Sequence, residues 1–468
     1  MHFDEPFISQ SIPTVKIISS TLPRNPSFSI DTRTLQQNDI FVALPGDSVD
    51  GHDFVQEAIK KGASGLLINV SKKKCLDVFS PNDLKNKFIA LVPDTYNALI
   101  DLAKAWRAQF KGSVIGITGS IGKTSTKQLI STILKENGTS HLVSAGTQNT
   151  FLGIALNILK LRPEHEVGLF EIGINKRGEM AQKAAMVNPT SAVITFIGHS
   201  HMEGLGSIND IAAEKRDIFK CFKEDSIGII NGDYPLLAGV SYPHPVLKFG
   251  TKTTNQIQAR KIRVQDDQTH LILKIYKEKC PIVLQTNHSG VLCNTLAAVA
   301  VATKLGISFS TIVKAIQQPL FVPGRFEQRQ LLQGKGLLIH DAFNASPESM
   351  KAALLAFDAL KDLNHKVAVL GDMLELGVNS PFWHRQLGRV LRKTPSLKEI
   401  VLVGDLVQWT KKTIPVNCIV HYAATWQEAV KILQNSIPNN TSILVKGSRG
   451  VGLCNLVEQI SSAKGLLK

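Results

Sequence analysis

One short stretch restricts the fold of this chain more than any other: an apolar strand that runs into a glycine-rich turn and then a helix. The strand reads SVIGITG, the turn is TGSIGKTS (Thr118–Ser125), and the helix continues as KQLISTIL. Backbone N–H groups in such a turn converge on one point, and the helix N-terminus adds partial positive charge, so a phosphate is favoured there. The motif predicts an α/β domain that binds a nucleotide.

Two residues of this turn are expected to carry its chemistry. Lys123 would reach the β- and γ-phosphates of ATP, and Thr124 would place its hydroxyl on magnesium. The pattern is the shorter TGxxGKT variant, because Ile117 stands where the ordinary P-loop has a glycine. A glycine-rich helix start without phosphate is the alternative interpretation. The predicted ATP-binding residues of the turn are Gly119, Ser120, Ile121, Gly122, Lys123, Thr124 and Ser125.

Polar residues also follow two later predicted strands. Glu171 ends the strand GLFEIG, and His199 and His201 follow the strand SAVITFIG. Ligands of α/β sheets bind at the carboxyl ends of the strands, so Glu171 is a candidate magnesium carboxylate. The alternatives are a solvated acid at position 171 and a surface histidine at 199 or 201. Lys215, taken alone, reads as a solvated lysine on the next helix.

The chain is too long for one hydrophobic core, because 468 residues exceed the usual size of a single domain. A break at Lys111 and Gly112, and a second at Pro319, Pro323 and Gly324, divide it. The predicted domains are residues 1–111, 112–321 and 322–468.

Apolar runs alternate with helical patterns in all three segments, which is typical of α/β proteins. In the second segment a helix is predicted from Asp210 to Cys221, and residues 244–285 are predicted to form an antiparallel patch. Gly290–Ile307 is too short and too polar to cross a bilayer, so we predict a buried helix. In the third segment, four apolar runs with polar ends predict parallel strands.

Charge and composition limit the class of protein. The net charge of +15 attracts nucleotides, nucleic acids and anionic membranes, although a solvated basic surface is the simplest explanation. Aromatic residues make up 6% of the chain without any aromatic-basic cluster, so nucleic acid is not expected as a partner. Six scattered cysteines favour a reducing compartment. With no recognisable signal peptide or transmembrane segment, we expect a cytoplasmic protein.

Several longer motifs occur in a recognisable order. The chain contains, in sequence, EIGINKRGEM, HMEGLGSINDIAAEKRDIF, PGRFE, HDAFNASPESM, LGDMLELG and VKGSRG, all after TGSIGKTS. This order resembles the Mur ligases, and among them the members that add D-alanyl-D-alanine. The N-terminal stretch DTRTLQQNDIFVALPGDSVDGHDFVQEAIKKGA resembles the uridine-nucleotide domain of the family. The resemblance covers roughly residues 25 to 455, and the DNPR motif of the enzyme that adds the third amino acid is absent.

The resemblance implies a three-domain α/β architecture: an N-terminal UDP-binding domain, a central P-loop domain and a C-terminal Rossmann-like domain. It implies four catalytic residues, Lys123, Lys215, His201 and Glu171. Thr124, Glu171, His201 and Lys215, the last as a carbamate, are implied metal ligands. Further ATP contacts are implied at Asn294, Arg325, Asp341 and Asn344. Substrate contacts are implied at Thr32, Arg33, Gly46, Asp50, Gly51, His52 and Asn149, whereas Lys446 and Arg449 lie at the ligand edge without an assigned role.

The chain departs from the family pattern at several positions. The usual GNxNNxxG reads GTQNTFLG, and the usual GxHNxxN reads HSGVLCN. The usual DDxYNANP reads HDAFNASP. These changes indicate a divergent member. The substituted positions are Thr147, Thr150, Phe196, Gly290, His340, Phe343 and Ser346.

The reaction implied by the resemblance is the formation of an amide through an acyl phosphate. ATP and Mg²⁺ are the implied cofactors, UDP-N-acetylmuramoyl-tripeptide and D-alanyl-D-alanine the implied substrates, and a monomer the expected state. The competing hypotheses are another ligase of this fold, such as a different Mur enzyme or a folylpolyglutamate synthetase; a nucleic-acid-stimulated ATPase; and a catalytically inactive scaffold. The uridine-nucleotide domain argues against the folate enzyme. The argument against the scaffold is the retention of Lys123, Thr124, Glu171, His201 and Lys215.

Overall fold

The computed structural model describes residues 1–23, 26–46, 48–331, 336–361, 365–436 and 441–461, and it arranges these residues around three β-sheets. One sheet falls in each predicted segment, and the exact domain boundaries stay a prediction. Helices alternate with the strands throughout, so the predicted α/β class is confirmed.

The first sheet is mainly parallel. Its strands are β1 (Lys16–Ser20), β2 (Ser27–Ser29), β3 (Asp39–Val42), β4 (Gly65–Asn69) and β5 (Phe88–Val92). They pair in the order β1-β5-β4-β3-β2, with β1 antiparallel to β5 at the edge. The accompanying helices are α1 (Glu5–Ser11), α2 (Val55–Lys60), α3 (Pro81–Leu84) and α4 (Thr95–Gln109), with 3-10 turns at Gly51–Phe54 and Val70–Leu76.

Helix α4 joins the first sheet to the second segment. It begins where the Asp94 carboxylate accepts a hydrogen bond from the Asn97 N–H, and Leu99 and Trp106 lie on its buried face. The indole of Trp106 donates to the Leu161 carbonyl at 3.0 Å. Its apolar face lies in one continuous core with helices of the second segment.

The second sheet holds the phosphate turn. Its strands are β6 (Ser113–Thr118), β7 (His141–Val143), β8 (Val167–Glu171), β9 (Ser191–Ile194), β10 (Ile227–Asn231), β11 (Val246–Gly250), β12 (Ile257–Gln265), β13 (Gln268–Ile275) and β14 (Glu278–Leu284). They pair in the order β14-β13-β12-β11-β10-β9-β6-β8-β7. Strand β6 thus lies between β8 and β9, where the chain switches sides of the sheet, and such switch points bind ligands.

The helices of this segment cover both faces of its sheet. They are α5 (Lys123–Glu136), α6 (Phe151–Ile158), α7 (Glu179–Val187), α8 (Met202–Leu205), α9 (Ile208–Arg216), α10 (Pro235–Ala238), α11 (Ser289–Lys304) and α12 (Phe309–Ile316), with a 3-10 turn at Asp217–Phe219. Helix α11 confirms the predicted buried helix. No helix among the described residues is long and apolar enough to cross a membrane.

Two predictions for this segment need correction. The antiparallel patch is limited to β12, β13 and β14, because β11 pairs in parallel with both β10 and β12. The helix predicted over 210–221 is α9, which begins at Ile208 because Ser207 and Asp210 form a capping box, and it gives way to the 3-10 turn after Arg216.

The third sheet is parallel except at one edge. Its strands are β15 (Glu327–Gln330), β16 (Leu337–His340), β17 (His365–Gly371), β18 (Glu399–Val403), β19 (Ile419–Ala423) and β20 (Thr441–Lys446). Their order is β15-β16-β20-β17-β18-β19, with β15 antiparallel to β16. The four predicted parallel strands are β16, β17, β18 and β20. The helices are α13 (Pro347–Ala359), α14 (Ser380–Leu391), α15 (Gln408–Lys411), α16 (Trp426–Ser436) and α17 (Leu453–Ser461), with 3-10 turns at Gly377–Asn379 and Arg449–Val451.

Candidate active site

A cavity of about 700 Å³ is lined both by the phosphate turn after β6 and by residues that follow β16 in the third sheet. Among the described residues, the predicted site residues Gly119 and Lys215 and those of the N-terminal segment lie outside its lining. The predicted residues that do line it are Ser120, Ile121, Gly122, Lys123, Thr124, Ser125, Asn149, Glu171, His201, Asn294, Arg325, Asp341 and Asn344.

Two glycines give the phosphate turn its shape. Gly119 and Gly122 have φ angles of 151° and 85°, which only glycine adopts readily. A Cβ at Gly119 would run into Thr195 Oγ1, and a Cβ at Gly122 would run into Asn294 Oδ1. Gly122 is the N-cap of α5 and offers no side chain to its first N–H groups, which remain available to a ligand.

Lys123 lies at the first position of α5 and folds back over the turn. Its Nζ donates a hydrogen bond to the Gly119 carbonyl at 2.8 Å. Burial lowers the pKa of Lys123, and the nearby Arg325 adds to this, although Glu171 acts in the opposite direction. A ligand with several negative oxygens would favour the charged ammonium in this place.

Glu171 is 1% exposed at the end of β8, so it is not the solvated acid considered as an alternative. Its Oε2 accepts from Thr124 Oγ1 at 2.9 Å, and its Oε1 accepts from Asn149 Nδ2 at 2.9 Å. Lys127 Nζ lies 3.5 Å from Oε2. The structure therefore places Asn149, predicted as a substrate contact, against the Glu171 carboxylate.

Lys215 is also 1% exposed, on α9, so the solvated helix lysine considered from the sequence is wrong. Burial lowers the pKa of Lys215 well below its usual value, and the positive charge of Lys123 lowers it further. A neutral amine is the form that can react with CO₂.

The loop after β9 brings both of its histidines against acids of the third segment. His199 Nδ1 lies 2.5 Å from Glu348 Oε1, and His201 Nδ1 lies 2.7 Å from Glu375 Oε2. The hydrogen bond from His201 lowers the pKa of Glu375. Among the described residues no group of three or more His, Cys, Asp or Glu side chains is arranged to hold a metal ion, so His201 and Glu171 are not part of such a group.

The third segment contributes a cationic wall to the cavity. The guanidinium of Arg325 stacks on the ring of Phe343 at 3.7 Å, and that of Arg449 lies 5.5 Å from the same ring. Lys446 Nζ lies 2.7 Å from Asp341 Oδ2 and donates to the Asn344 carbonyl at 3.1 Å. Phe343, one of the substituted positions, is thus the platform for both arginines.

The N-terminal candidates are grouped away from this cavity. Asp50 Oδ1 lies 2.6 Å from His52 Nδ1, and Asp50 Oδ2 lies 3.0 Å from Lys72 Nζ. His52 Nε2 accepts from the Asn69 N–H at 3.0 Å. Both ring nitrogens of His52 are therefore engaged within the segment.

The remaining N-terminal candidates are placed as follows. Arg33 is exposed and pairs with Asp31, whose pKa it lowers to about 2. Thr32 is buried, and its carbonyl accepts from Lys61 Nζ at 3.0 Å. At Gly46 and Gly51 a Cβ would approach backbone atoms to 2.7 Å, so the chain needs glycine at both positions.

Sequence reasoning missed three residues that shape the site: Lys127, Glu348 and Glu375. Lys127 stands four residues after Lys123, a spacing that could have placed it on the same helical face. Glu348 and Glu375 lie within quoted motifs, but nothing in their spacing points to histidines more than 100 residues away.

Comparison with known proteins matches the three segments to one family. The Mur ligase family catalytic domain matches residues 27–101, the Mur ligase middle domain 117–302, and the glutamate ligase domain 324–449. The UDP-N-acetylmuramoyl-tripeptide–D-alanyl-D-alanine ligase of Bacillus subtilis (strain 168) is 33% identical over 436 residues, which are 92% of this chain and 92% of that protein. This chain belongs to the Mur ligase family.

Solved structures agree with membership among the Mur ligases. MurF from Acinetobacter baumannii superimposes with a TM-score of 0.82 at 26% identity, covering 98% of this chain and 99% of that one. The MurF ligase from Thermotoga maritima, solved in complex with ADP, gives 0.77 at 27% identity and covers 93% and 97%. The family resemblance and the three-domain Mur ligase architecture predicted from the sequence are confirmed.

Proposed function

We propose that this Mur ligase is an ATP-dependent, ADP-forming enzyme that joins D-alanyl-D-alanine to UDP-N-acetylmuramoyl-tripeptide. The observation that carries the proposal is the cavity in which the phosphate turn of the second segment meets Arg325 and Asp341 of the third. The substrates follow the name of the Bacillus subtilis relative. The reaction would serve the synthesis of the peptidoglycan precursor.

The ATP-binding roles assigned from the sequence fit the geometry of this cavity. The open N-terminus of α5 would take the β- and γ-phosphates, with Lys123 turning from the Gly119 carbonyl onto them. Asn294 packs on Gly122 at the edge of the turn and would contact the nucleoside. The third segment would approach the nucleotide with Arg325, which stacks on Phe343. Asp341 and Asn344 would approach from the same side.

Thr124 and Glu171 suit magnesium, because their Oγ1 and Oε2 oxygens lie 2.9 Å apart beside the turn and both are hard oxygen ligands. We propose that they hold Mg²⁺, with His201 and carbamylated Lys215 as further ligands. When bound, Mg²⁺ would neutralise negative charge on the phosphate oxygens. Asn149 would then orient Glu171 by holding its Oε1.

The residues of the chain have to bring two anions together. In the proposed reaction the tripeptide carboxylate attacks the γ-phosphorus of ATP, ADP leaves, and an acyl phosphate remains. Lys123 and Arg325 would reduce the repulsion between the carboxylate and the triphosphate. The amine of D-alanyl-D-alanine then attacks the acyl carbon, and phosphate leaves from a tetrahedral intermediate. Acyl phosphates hydrolyse, so the walls formed by the second and third segments must exclude water.

The first segment would bind the uridine-nucleotide end of the substrate. Asp50 pairs with His52 and Lys72 and caps the 3-10 turn that begins at Gly51, so we assign His52 a positioning role. Arg33 is exposed and available to the substrate.

We also propose that the domains comprise residues 1–111, 112–321 and 322–468 and that the protein is a monomer. We propose a cytoplasmic location, where the six free thiols would stay reduced.

The test is direct product analysis. Purified enzyme is incubated with ATP, Mg²⁺, a UDP-N-acetylmuramoyl-tripeptide and D-alanyl-D-alanine, and the product is identified by mass. We expect one amide and one ADP per turnover, and no amide with the folded variant Lys123→Ala. Consumption of ATP without the muramyl pentapeptide, or ATPase activity that depends on nucleic acid, would exclude the proposed function.

A further inference from the structure

The loop after β9 rests directly on the phosphate turn. Ser120 N–H donates to the Phe196 carbonyl at 2.8 Å, and Ser120 Oγ donates to the Gly198 carbonyl at 2.9 Å. Ser120 also lines the cavity. A contact that holds this loop in place therefore also restrains the phosphate turn.

The same loop is held from its other side by the third segment. The backbone N–H of His199 donates to Glu348 Oε1 at 3.1 Å, and its ring Nδ1 lies 2.5 Å from the same oxygen. The imidazole lies 4.2 Å from the Trp383 ring, and a Cβ at Gly198 would come within 2.9 Å of Glu348 Oε2. The Glu348 carboxylate thus contacts both the backbone of the loop and the ring of His199. A chance pair on the surface would not need this close fit to the backbone.

Glu348 is rigidly connected to the residues that face the nucleotide. It stands in the first turn of α13, whose N-cap Ser346 forms a capping box with Ser349. Asp341 and Asn344 precede this helix by a few residues, and Lys446 ties both of them to β20. A shift of Glu348 would move this wall of the cavity.

We propose that His199 is a positioning residue which, through Glu348, holds the third segment in register over the phosphate turn while the acyl phosphate exists. The inference rests on the proposed function and deepens it. Nothing in the ATP-binding or metal-binding assignments uses His199. A second contact of the same loop, His201 with Glu375, supports this junction, since the Glu203 N–H also donates to the Glu375 carbonyl at 3.2 Å.

Breaking the contact between His199 and Glu348 should cause a specific defect in the reaction. Without His199 the third segment should seal the cavity poorly, so water would capture the acyl phosphate and ATP would be spent without an amide. A residue that only stabilised the fold would lower both products together and leave their ratio unchanged. The ratio of phosphate released to amide formed therefore separates positioning from stability.

The experiment compares His199→Ala, His199→Asn and Glu348→Gln with wild type, at saturating and limiting ATP. For His199→Ala we expect about a tenfold fall in kcat/KM for ATP and a several-fold rise in phosphate per amide. His199→Asn keeps a donor near the Nδ1 position and should restore most of the ratio. His421→Asn is the matched control, because His421 Nε2 forms a similar 2.8 Å pair with Glu399 away from the cavity.

A second readout separates this inference from the proposed function. Hydrogen exchange of residues 346–352 is measured with Mg²⁺ and a non-hydrolysable ATP analogue, and we expect faster exchange in His199→Ala than in His421→Asn. If wild type makes no amide, the proposed function fails while the exchange data still test the pair. An unchanged ratio together with exchange equal to the control would overturn the role of His199.

Discussion

At the scale of single residues, the site contains charged groups that are almost completely inside the protein. The buried charge of Glu171 is compensated by hydrogen bonds from Thr124 and Asn149 and by the nearby Lys127 ammonium. Its burial is therefore consistent with a stable fold. Lys215 differs, because burial and a neighbouring cation both lower its pKa. A buried amine of this kind is kept at the expense of stability, as is common for groups that serve a function.

Replacement of Lys215 by Met should abolish amide formation and make the protein more stable at pH 7. The unfolded lysine titrates at its usual value of 10.5, and the folded one below it, so between the two the unfolded state binds more protons. The stability of wild type therefore rises with pH across that window, by about 1.4 kcal/mol per pH unit, and falls as pH decreases.

The measurement is the free energy of unfolding of both proteins from pH 7 to 10.5, in buffer free of CO₂ so that no carbamate forms. The advantage of Lys215→Met should shrink as pH approaches 10.5. Lys393→Met, which changes an exposed lysine, serves as the control. Equal stability of Lys215→Met and wild type at pH 7 would contradict the prediction.

At the scale of elements, α5 shows how a helix end becomes a binding site. It is bounded by left-handed glycines, Gly122 at its N-cap and Gly138 just after its C-cap, with φ angles of 85° and 73°. Only Gly122 faces a neighbour, Asn294, since a Cβ at Gly138 would meet no atom within 4 Å. The two positions share the same backbone requirement and differ in the space around them.

Gly122→Ala should therefore lose ATP binding, whereas Gly138→Ala should retain it. Both substitutions strain a left-handed residue by roughly 1–2 kcal/mol, so both should lower stability similarly. The added methyl at 122 also displaces Asn294 and narrows the turn. Calorimetric titration with ATP and thermal denaturation check the two effects, and equal ATP affinity in both variants would show that the turn is not the phosphate site.

At the scale of the whole molecule, the junction between the first and second segments differs from the junction between the second and third. Leu99 and Trp106 of α4 share a continuous apolar core with Ile154 and Ile158 of α6. The third segment has its own cores, and Met202 of the second segment packs at the edge of one of them. Polar pairs such as His199–Glu348 add to this junction. Apolar burial resists separation more than a few half-buried polar pairs do, so we expect motion chiefly at the second junction.

Arg107 is the polar anchor of the first junction. Its Nε donates to the Val187 carbonyl at 2.7 Å, its Nη2 to Asn188 at 2.6 Å, and its Nη1 to Phe110 at 3.2 Å. Arg107→Met would leave these carbonyls without a donor and should lower the free energy of unfolding by roughly 2–4 kcal/mol. Urea denaturation is the measurement, and Lys104→Met, an exposed residue of the same helix, should change it by less than about 0.5 kcal/mol. Equal losses in the two variants would contradict the anchoring role.

The sequence by itself determined several of the elements and the position of the glycine-rich turn. Continuous apolar runs predicted β6, β8, β9 and the buried helix α11, because a segment buried on all sides needs apolar residues along its whole length. Glycines and a lysine at fixed offsets predicted the turn at 118–125. Motif order was enough to identify the Mur ligase family.

Only the tertiary structure decided how the site residues are used. It buried Lys215, set Asn149 against Glu171, engaged both nitrogens of His52, and joined His199 to Glu348. It also extended the parallel sheet through β11, where polar residues suggested antiparallel pairing. The contacts of His52 with Asn69, Asn149 with Glu171 and His199 with Glu348 join residues 17, 22 and 149 positions apart. They depend on how sheets and helices pack in three dimensions, for which a local pattern carries no signal.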